Sequence, residues 1–362
     1  MSGYECGRFV HLLGGLRAFD VMAPEVEIGV DTLKCHVKFK RPQYANLFHA
    51  INSFNLKVIG CEFIDGQEEI LEIQPRDWLL SHQSGWSIKF VQQEWSNISY
   101  KASQEGKLRL ASVSERIRTY LRLIELRVKK ISDAYHNTLR AHLYPGPVEK
   151  APYIGMFGNQ WLIEIDAAVH SFLADAGTLR DVLAEAIWIV LLQSDDQSVK
   201  TMASLIKRSK SSDNELIQSI INEAKTGWIK NLTDIRNHQI HVAPVSSFHE
   251  HTFCQAREIT LRGGAKLIGL HYPFTTFDWR LRKRSELEVD YSSESKVKKS
   301  IKIYDEFANN SGDALEYCWM TANNMASFAE SIRIASGLSA PIPTVKPNPG
   351  SIKIIRPRDE AN

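Results

Sequence analysis

The sequence predicts an α+β fold: a small strand-rich N-terminal domain, then an α-helical bundle that carries a β-rich insertion. Three observations predict it. In Asp31 to Arg41, Leu33, Cys35, Val37 and Phe39 alternate with Lys34, His36, Lys38 and Lys40, the period of a half-buried strand. Near Leu110 the apolar spacing lengthens to three and four residues, the helical period. After Pro244 that pattern lapses, and Gly263-Gly264 stands between two strand-like runs, a hairpin signal.

A chain of 362 residues has two domains as its default, each able to bury a core. The expected division is a strand-rich α+β domain at 1–108 and a long bridging helix at 109–147. A helical domain follows at 158–338, with the insertion at about 248–303, and then a loose tail at 339–362. Hydrophobic residues make up 43% and charged residues 24%, ordinary for a globular protein. The net charge of +2 is too mild to imply nucleic acid by itself, so any basic surface must be local. The five cysteines are scattered without a C-x-x-C pair, which points away from zinc and disulfides and toward free thiols in a cytoplasmic protein. No leader is evident, and the apolar run Ala186 to Leu192 is far shorter than the roughly 20 residues of a membrane span. No glycine-rich phosphate loop is present, and neither a metal nor an organic cofactor is expected.

The elements follow in order. Glu25 onward reads as strand, Gln43 to Phe54 as a short helix. Leu56 to Ile64, Glu69 to Gln74 and Trp86 to Glu94 read as further strands, with Asp65-Gly66 turning between the first two. The basic face of Lys34, Lys38, Lys40 and Arg41 suits either nucleic acid or a protected sheet edge. Val113 to Leu143 is a long helix with Ile117, Leu121, Ile124, Val128, Ile131, Tyr135 and Leu139 on one stripe. Arg118, Arg122 and Lys129 share another face, either a phosphate track or a solvated surface. Tyr144-Pro145-Gly146-Pro147 stops it. Trp161 to Leu173, Leu179 to Gln193 and Val199 to Arg208 are helices. Glu164, Asp166, His170 and Glu185 are polar groups that could approach a site on a neighbouring helix. Phe248-His249-Glu250-His251 reads as loop, Arg257 to Leu261 and Lys266 to Leu270 as a hairpin, Glu286 to Tyr291 as a strand. Arg280, Arg282, Lys283 and Arg284, beside Trp279, form the best local RNA-contact candidate. Asp313 to Gly337 is the closing helix, with Gly337 as its C-cap. In the tail, Ile352 to Ile355 could pair as an edge strand.

The organising stretch is Asp213 to Pro244. It reads as one amphipathic helix, capped by Asp213, with Leu216, Ile220, Ala224, Trp228, Leu232 and Ile235 facing the core and Gly227 as a weak point. Its last turns hold Arg236, Asn237 and His241: a permanent cation, an amide and an imidazole that titrates near neutrality. Such a set suits phosphodiester chemistry, the histidine moving a proton and the arginine holding charge on phosphorus. The plainer reading is cations complementing a helix C-terminus.

Arg236-Asn237-x-x-x-His241, late in a helix of an all-helical domain, resembles the R-x(4–6)-H signature of the HEPN superfamily, over roughly residues 160–338 with an insertion. The resemblance implies a bundle of four to five helices that dimerises so that two motifs face each other. It further implies a metal-independent endoribonuclease of a bacterial defence or toxin–antitoxin system, with Arg236, Asn237 and His241 as catalytic residues. RNA, a second copy and an antitoxin or defence-system protein are the partners implied. The alternative within the superfamily is a non-catalytic module for dimerisation or RNA binding.

Overall fold

The computed structural model describes residues 7–21, 23–30, 36–64, 77–81, 88–144, 154–194, 196–210, 212–241, 247–248, 251–274 and 292–338. In chain order these form β1 (Gly7–Leu12), β2 (Arg17–Asp20), β3 (Glu25–Gly29), β4 (His36–Lys40), α1 (Leu47–Ser53), β5 (Val58–Ile64) and β6 (Trp78–Leu80). The helices α2 (Ile88–Gln104) and α3 (Leu108–Leu143), strand β7 (Gly155–Phe157) and the helices α4 (Leu162–Val190), α5 (Met202–Arg208), α6 (Glu215–Thr226) and α7 (Trp228–His241) follow. Then come β8 (Ser247–Phe248), β9 (His251–Thr252), β10 (Cys254–Thr260), β11 (Lys266–His271), β12 (Pro273–Phe274), α8 (Glu294–Asn310), β13 (Gly312–Asp313) and α9 (Ala314–Ala335). The architecture is α+β, a strand-rich sheet followed by helices.

The sheet runs β4-β3-β2-β1-β5-β6 and is antiparallel throughout. Strand β4 is the half-buried basic edge the alternation predicts: Val37 and Phe39 are partly buried, His36, Lys38 and Lys40 exposed. Gly14 and Gly15 turn the chain between β1 and β2 with φ of +79° and +75°, values that side chains rarely adopt. A Cβ on Gly15 would also stand 3.0 Å from the Tyr135 backbone carbonyl, so this turn is pressed onto α3.

Helix α3 buries the whole predicted stripe, from Ile117 through Leu139. Its neighbours are α2 on one flank and α4 on the other, with α9 crossing both α3 and α4. One apolar core links the sheet residues Val10, Ile28 and Cys61 to Leu183 and Ile332 of the bundle. Asp313 pins the junction: its Oδ1 accepts the Glu316 amide (3.1 Å), and its Oδ2 accepts the Tyr272 amide (3.1 Å) and the Tyr135 hydroxyl (3.2 Å). It is thus the N-cap of α9, and it ties α9 to the β11 end and to α3.

Several expectations need correction. Trp86 to Glu94 is not a strand where it is described: from Ile88 the chain is α2, which buries Ile88, Val91, Trp95, Ile98 and Ala102 at helical spacing. Two helices expected within Trp161 to Gln193 are the single α4. The Asp213 to Pro244 helix is two helices, α6 capped by Asn214 and not Asp213, then α7. Residues 247–248 and 251–252 pair as a minimal hairpin instead of a loop, and α8 occupies a stretch for which no helix was expected. The hairpin across Gly263-Gly264 is β10–β11, in register from Gln255↔His271 to Thr260↔Lys266. Glu69 to Gln74, Asp65-Gly66, Glu286 to Tyr291 and the tail from 339 lie outside the described residues.

Candidate functional site

Helix α7 begins at a break. Gly227 adopts φ −95° and ψ −157°, and Glu223 folds back so that its Oε2 accepts the Trp228 amide at 3.0 Å. The carboxylate caps the new helix and sits at its positive end. A Cβ on Gly227 would fall 1.8 Å from that same oxygen, so the break and the cap require each other. From there α7 buries Ile229, Leu232, Ile235 and His238 and packs on α4.

Two contacts set the register of α7 on α4. Arg180 donates from Nη1 to Thr233 Oγ1 at 2.7 Å. Three residues earlier on α4, Gly177 faces Arg236, three residues later on α7. Contacts that step in opposite chain directions make the two helices antiparallel. At Gly177 a Cβ would lie 2.6 Å from Arg236 Cδ and 2.7 Å from its Nε. The glycine is the seat on which the arginine stem rests.

The guanidinium is therefore held by its inner edge. Its Nε is buried with no hydrogen-bond partner among the described residues. Nη1 reaches the Asn237 Oδ1 at 3.4 Å, at the surface. Asn237 and His241 are both exposed, four residues apart and so nearly in line along the helix. His238 faces inward, and burial holds its imidazole below the ordinary histidine range. The two histidines of the last turn thus differ in kind: one is core, the other faces solvent.

The polar groups considered as neighbours of His241 go elsewhere or stay in solvent. Glu185 binds Arg116 (2.5 Å) and lies 3.6 Å from Arg109. Asp166 accepts the Tyr272 hydroxyl. Glu164 and His170 are exposed on α4. On the Arg118, Arg122 and Lys129 face, Arg118 is paired with Glu115, and Lys129 with Glu62 and Asp133. On the sheet, Lys38 pairs with Glu27 and Arg41 with Asp20. Arg280, Arg282, Lys283 and Arg284 lie outside the described residues.

A second polar constellation, absent from the sequence reading, sits where the sheet meets α3. His11 Nδ1 is 2.9 Å from Ser132 Oγ, and its Nε2 is 3.2 Å from Glu62 Oε1. Lys129 Nζ lies 2.6 Å from Glu62 and 2.8 Å from Asp133, while Arg17 reaches Asp133 at 2.6 Å. Burial alone would raise Glu62, but hydrogen bonds from His11 and Lys129 hold its carboxyl far below the usual range. Burial lowers His11 and keeps it neutral at pH 7. The ligand atoms of His11, Glu62 and Asp133 lie within 4.8 Å of one another. The Lys129 ammonium already stands between the two carboxylates, where a metal cation would have to sit. His11 and Ser132 are 0% and 2% exposed, so the serine–histidine–carboxylate line has no opening for a substrate. The constellation fastens α3 to the sheet.

No protein-family model, curated protein or solved structure matches this chain. No helix among the described residues is long and apolar enough to cross a membrane.

Proposed function

We propose that the chain is a HEPN-like, metal-independent endoribonuclease that works as a homodimer, in a bacterial defence or toxin–antitoxin setting. The observation that carries the reading is Arg236. It rests on Gly177, has no ion pair among the described residues, and stands beside exposed Asn237, a little over one turn before exposed His241. An unpaired, half-buried guanidinium is suited to a phosphate, which it can meet with two parallel N–H bonds.

In this reading His241 takes the proton from a ribose 2′-OH. The 2′ oxygen forms a bond to phosphorus, and the bond from phosphorus to the 5′ oxygen breaks. The second copy's His241 supplies the proton that the departing 5′ oxygen takes up. Arg236 holds the charge that builds on the phosphoryl oxygens, and Asn237 orients the phosphate. The products are a 2′,3′-cyclic phosphate and a 5′-hydroxyl.

The test is cleavage of total RNA in EDTA, with end-group analysis of the fragments. Cleavage with those ends, lost in His241→Ala, supports the reading. RNA that is bound but stays intact points to the non-catalytic module instead.

A further inference from the structure

A cleft of about 600 Å³ opens where the Gly14 turn, the α1–β5 connection, the β10–β11 hairpin and the start of α9 meet. Its size is that of a small-molecule site. None of Arg236, Asn237 or His241 lines it. Four features of its lining stand out.

Arg257 is half-buried on β10. Its Nε donates to Gln255 Oε1 and its Nη2 to the Ala308 carbonyl, both at 2.7 Å. Neither partner is charged, and among the described residues Arg257 has no carboxylate in salt-bridge reach. Beside it His271 is 8% exposed; the Ala308 carbonyl that Arg257 binds also favours a proton on its ring, but its Nε2 makes no well-formed hydrogen bond among the described residues. Its Nδ1 lies 3.5 Å from Asp313 Oδ2, which already accepts from the Tyr272 amide and the Tyr135 hydroxyl, while Oδ1 caps α9. At the rim Lys57 pairs with Glu316 and lies 5.4 Å from the Trp319 ring centre. Leu13, Ile259 and Leu270 supply an apolar wall.

A half-buried guanidinium that meets the Asp313 charge only from beyond salt-bridge distance, and a buried ring nitrogen without a well-formed hydrogen bond, both gain from a group that completes them. One anionic group placed between them would complete both, the neutral His271 carrying its proton on Nε2 and donating it. We propose that this cleft binds a small organic anion of about mononucleotide size, its phosphate or carboxylate seated on Arg257 and His271 and its body lying along Leu13 and Ile259. Burial and the Arg257 charge press the His271 pKa down to about 3; an anion at Arg257 removes the repulsive part of that effect. The site is independent of the ribonuclease reading.

The experiment is calorimetric titration of the full chain carrying His241→Ala, which removes the proposed RNA chemistry. AMP is the phosphate probe, citrate the carboxylate probe, and adenosine the uncharged control. AMP or citrate binds and adenosine does not; whichever anion binds more tightly names the source of the anionic group. Arg257→Gln weakens that anion by at least about tenfold. Because Arg257 also holds Ala308, Lys57→Gln at the rim is the second variant, and it weakens the same anion while the unfolding transition stays in place. Failure of both anions to bind, adenosine binding as tightly as AMP, or binding that neither variant weakens overturns the proposal.

Discussion

The side chain of Arg236 lies across Gly177, on the neighbouring antiparallel helix, with its Cδ 2.6 Å from where a Cβ would stand. This relationship separates stability from function. In a helix interior, glycine to alanine adds stability of about 1 kcal/mol. The atoms in the way belong to a flexible side chain and not to backbone. Gly177→Ala is therefore expected to shift the unfolding midpoint little, the helix gain offsetting the cost of moving Cδ and the buried Nε aside, while the displaced guanidinium lowers RNA cleavage at least about tenfold. A variant that cleaves like wild type would mean that the seat does not position the arginine.

Within the proposed site, His241→Ala is expected to lower cleavage by about 10²–10⁴, the range for loss of a general acid–base. Arg236→Lys keeps the charge but loses the planar fork, and should fall nearly as far. His238→Gln behaves differently. That ring is buried, so the variant should shift the unfolding midpoint more than the cleavage rate. Single-turnover cleavage and urea melts of the same preparations check all three.

The capped break between α6 and α7 predicts a paired loss. Glu223→Ala frees the Trp228 amide and should destabilise by about 1 kcal/mol. Gly227→Ala forces the same carboxylate away, since its Cβ would fall 1.8 Å from Glu223 Oε2. Because both changes remove one contact, the double variant should lose clearly less than the sum of the single losses. Additive losses in a double-mutant cycle would refute the coupling.

At the sheet–helix junction, Glu62→Ala leaves Lys129 with Asp133 alone in a largely buried place. Breaking such a pair costs about 3–5 kcal/mol. Replacing His11, Glu62 and Lys129 together by apolar residues of similar volume should cost much less, since no charge is then stranded. Guanidinium unfolding of both variants distinguishes a charge penalty from a packing one.

Stability should fall as the solution is acidified below pH 6.5. His11, His238 and His271 all titrate below their ordinary value in the folded chain, His271 at about 3. The unfolded chain then binds the extra protons, so folding free energy rises with pH across that window. Glu62, also depressed, adds the same sign below the ordinary glutamate range. Asp313 opposes them: burial raises it to about 6, so between its ordinary value and pH 6 it favours the folded state as pH drops. Glu125, raised by burial, opposes them as well; three histidines and Glu62 against these two carboxyls give a net acid loss. Denaturant midpoints from pH 4 to 8 measure it, and His271→Gln should flatten the slope.

What could be read from the chain alone was local and long. The α3 stripe from Ile117 to Leu139 is buried throughout, and Asp313 caps the start of α9 as its residue type suggests; at the other end the C-cap is Ser336, and Gly337, at φ +65°, is the residue after it. Trp86 to Glu94 alone is too short to distinguish helix α2 from a strand: its apolar positions separate from a strand's only once Trp95, Ile98 and Ala102 are included. Gly227 reads as a weak helix residue, but the side chain of Glu223 turns it into a break. Gly177 carried a faint signal, a glycine inside a strongly apolar helix, but its partner stands 59 positions later. His11, Glu62 and Asp133 are separated by 51 and 71 positions, and no periodicity reaches so far.

The Lys129 ammonium between Glu62 and Asp133 has a consequence for dissection of the molecule. The helical half cannot simply be expressed without its first hundred residues. Such a fragment would carry an ammonium facing only half its counter-charge, and the Tyr135 end of α3 would be stripped of the turn at Gly15 that covers it. Aggregation of that fragment, or rescue by supplying the N-terminal half in trans, would be the laboratory signature of a molecule whose two halves were never separate lodgers.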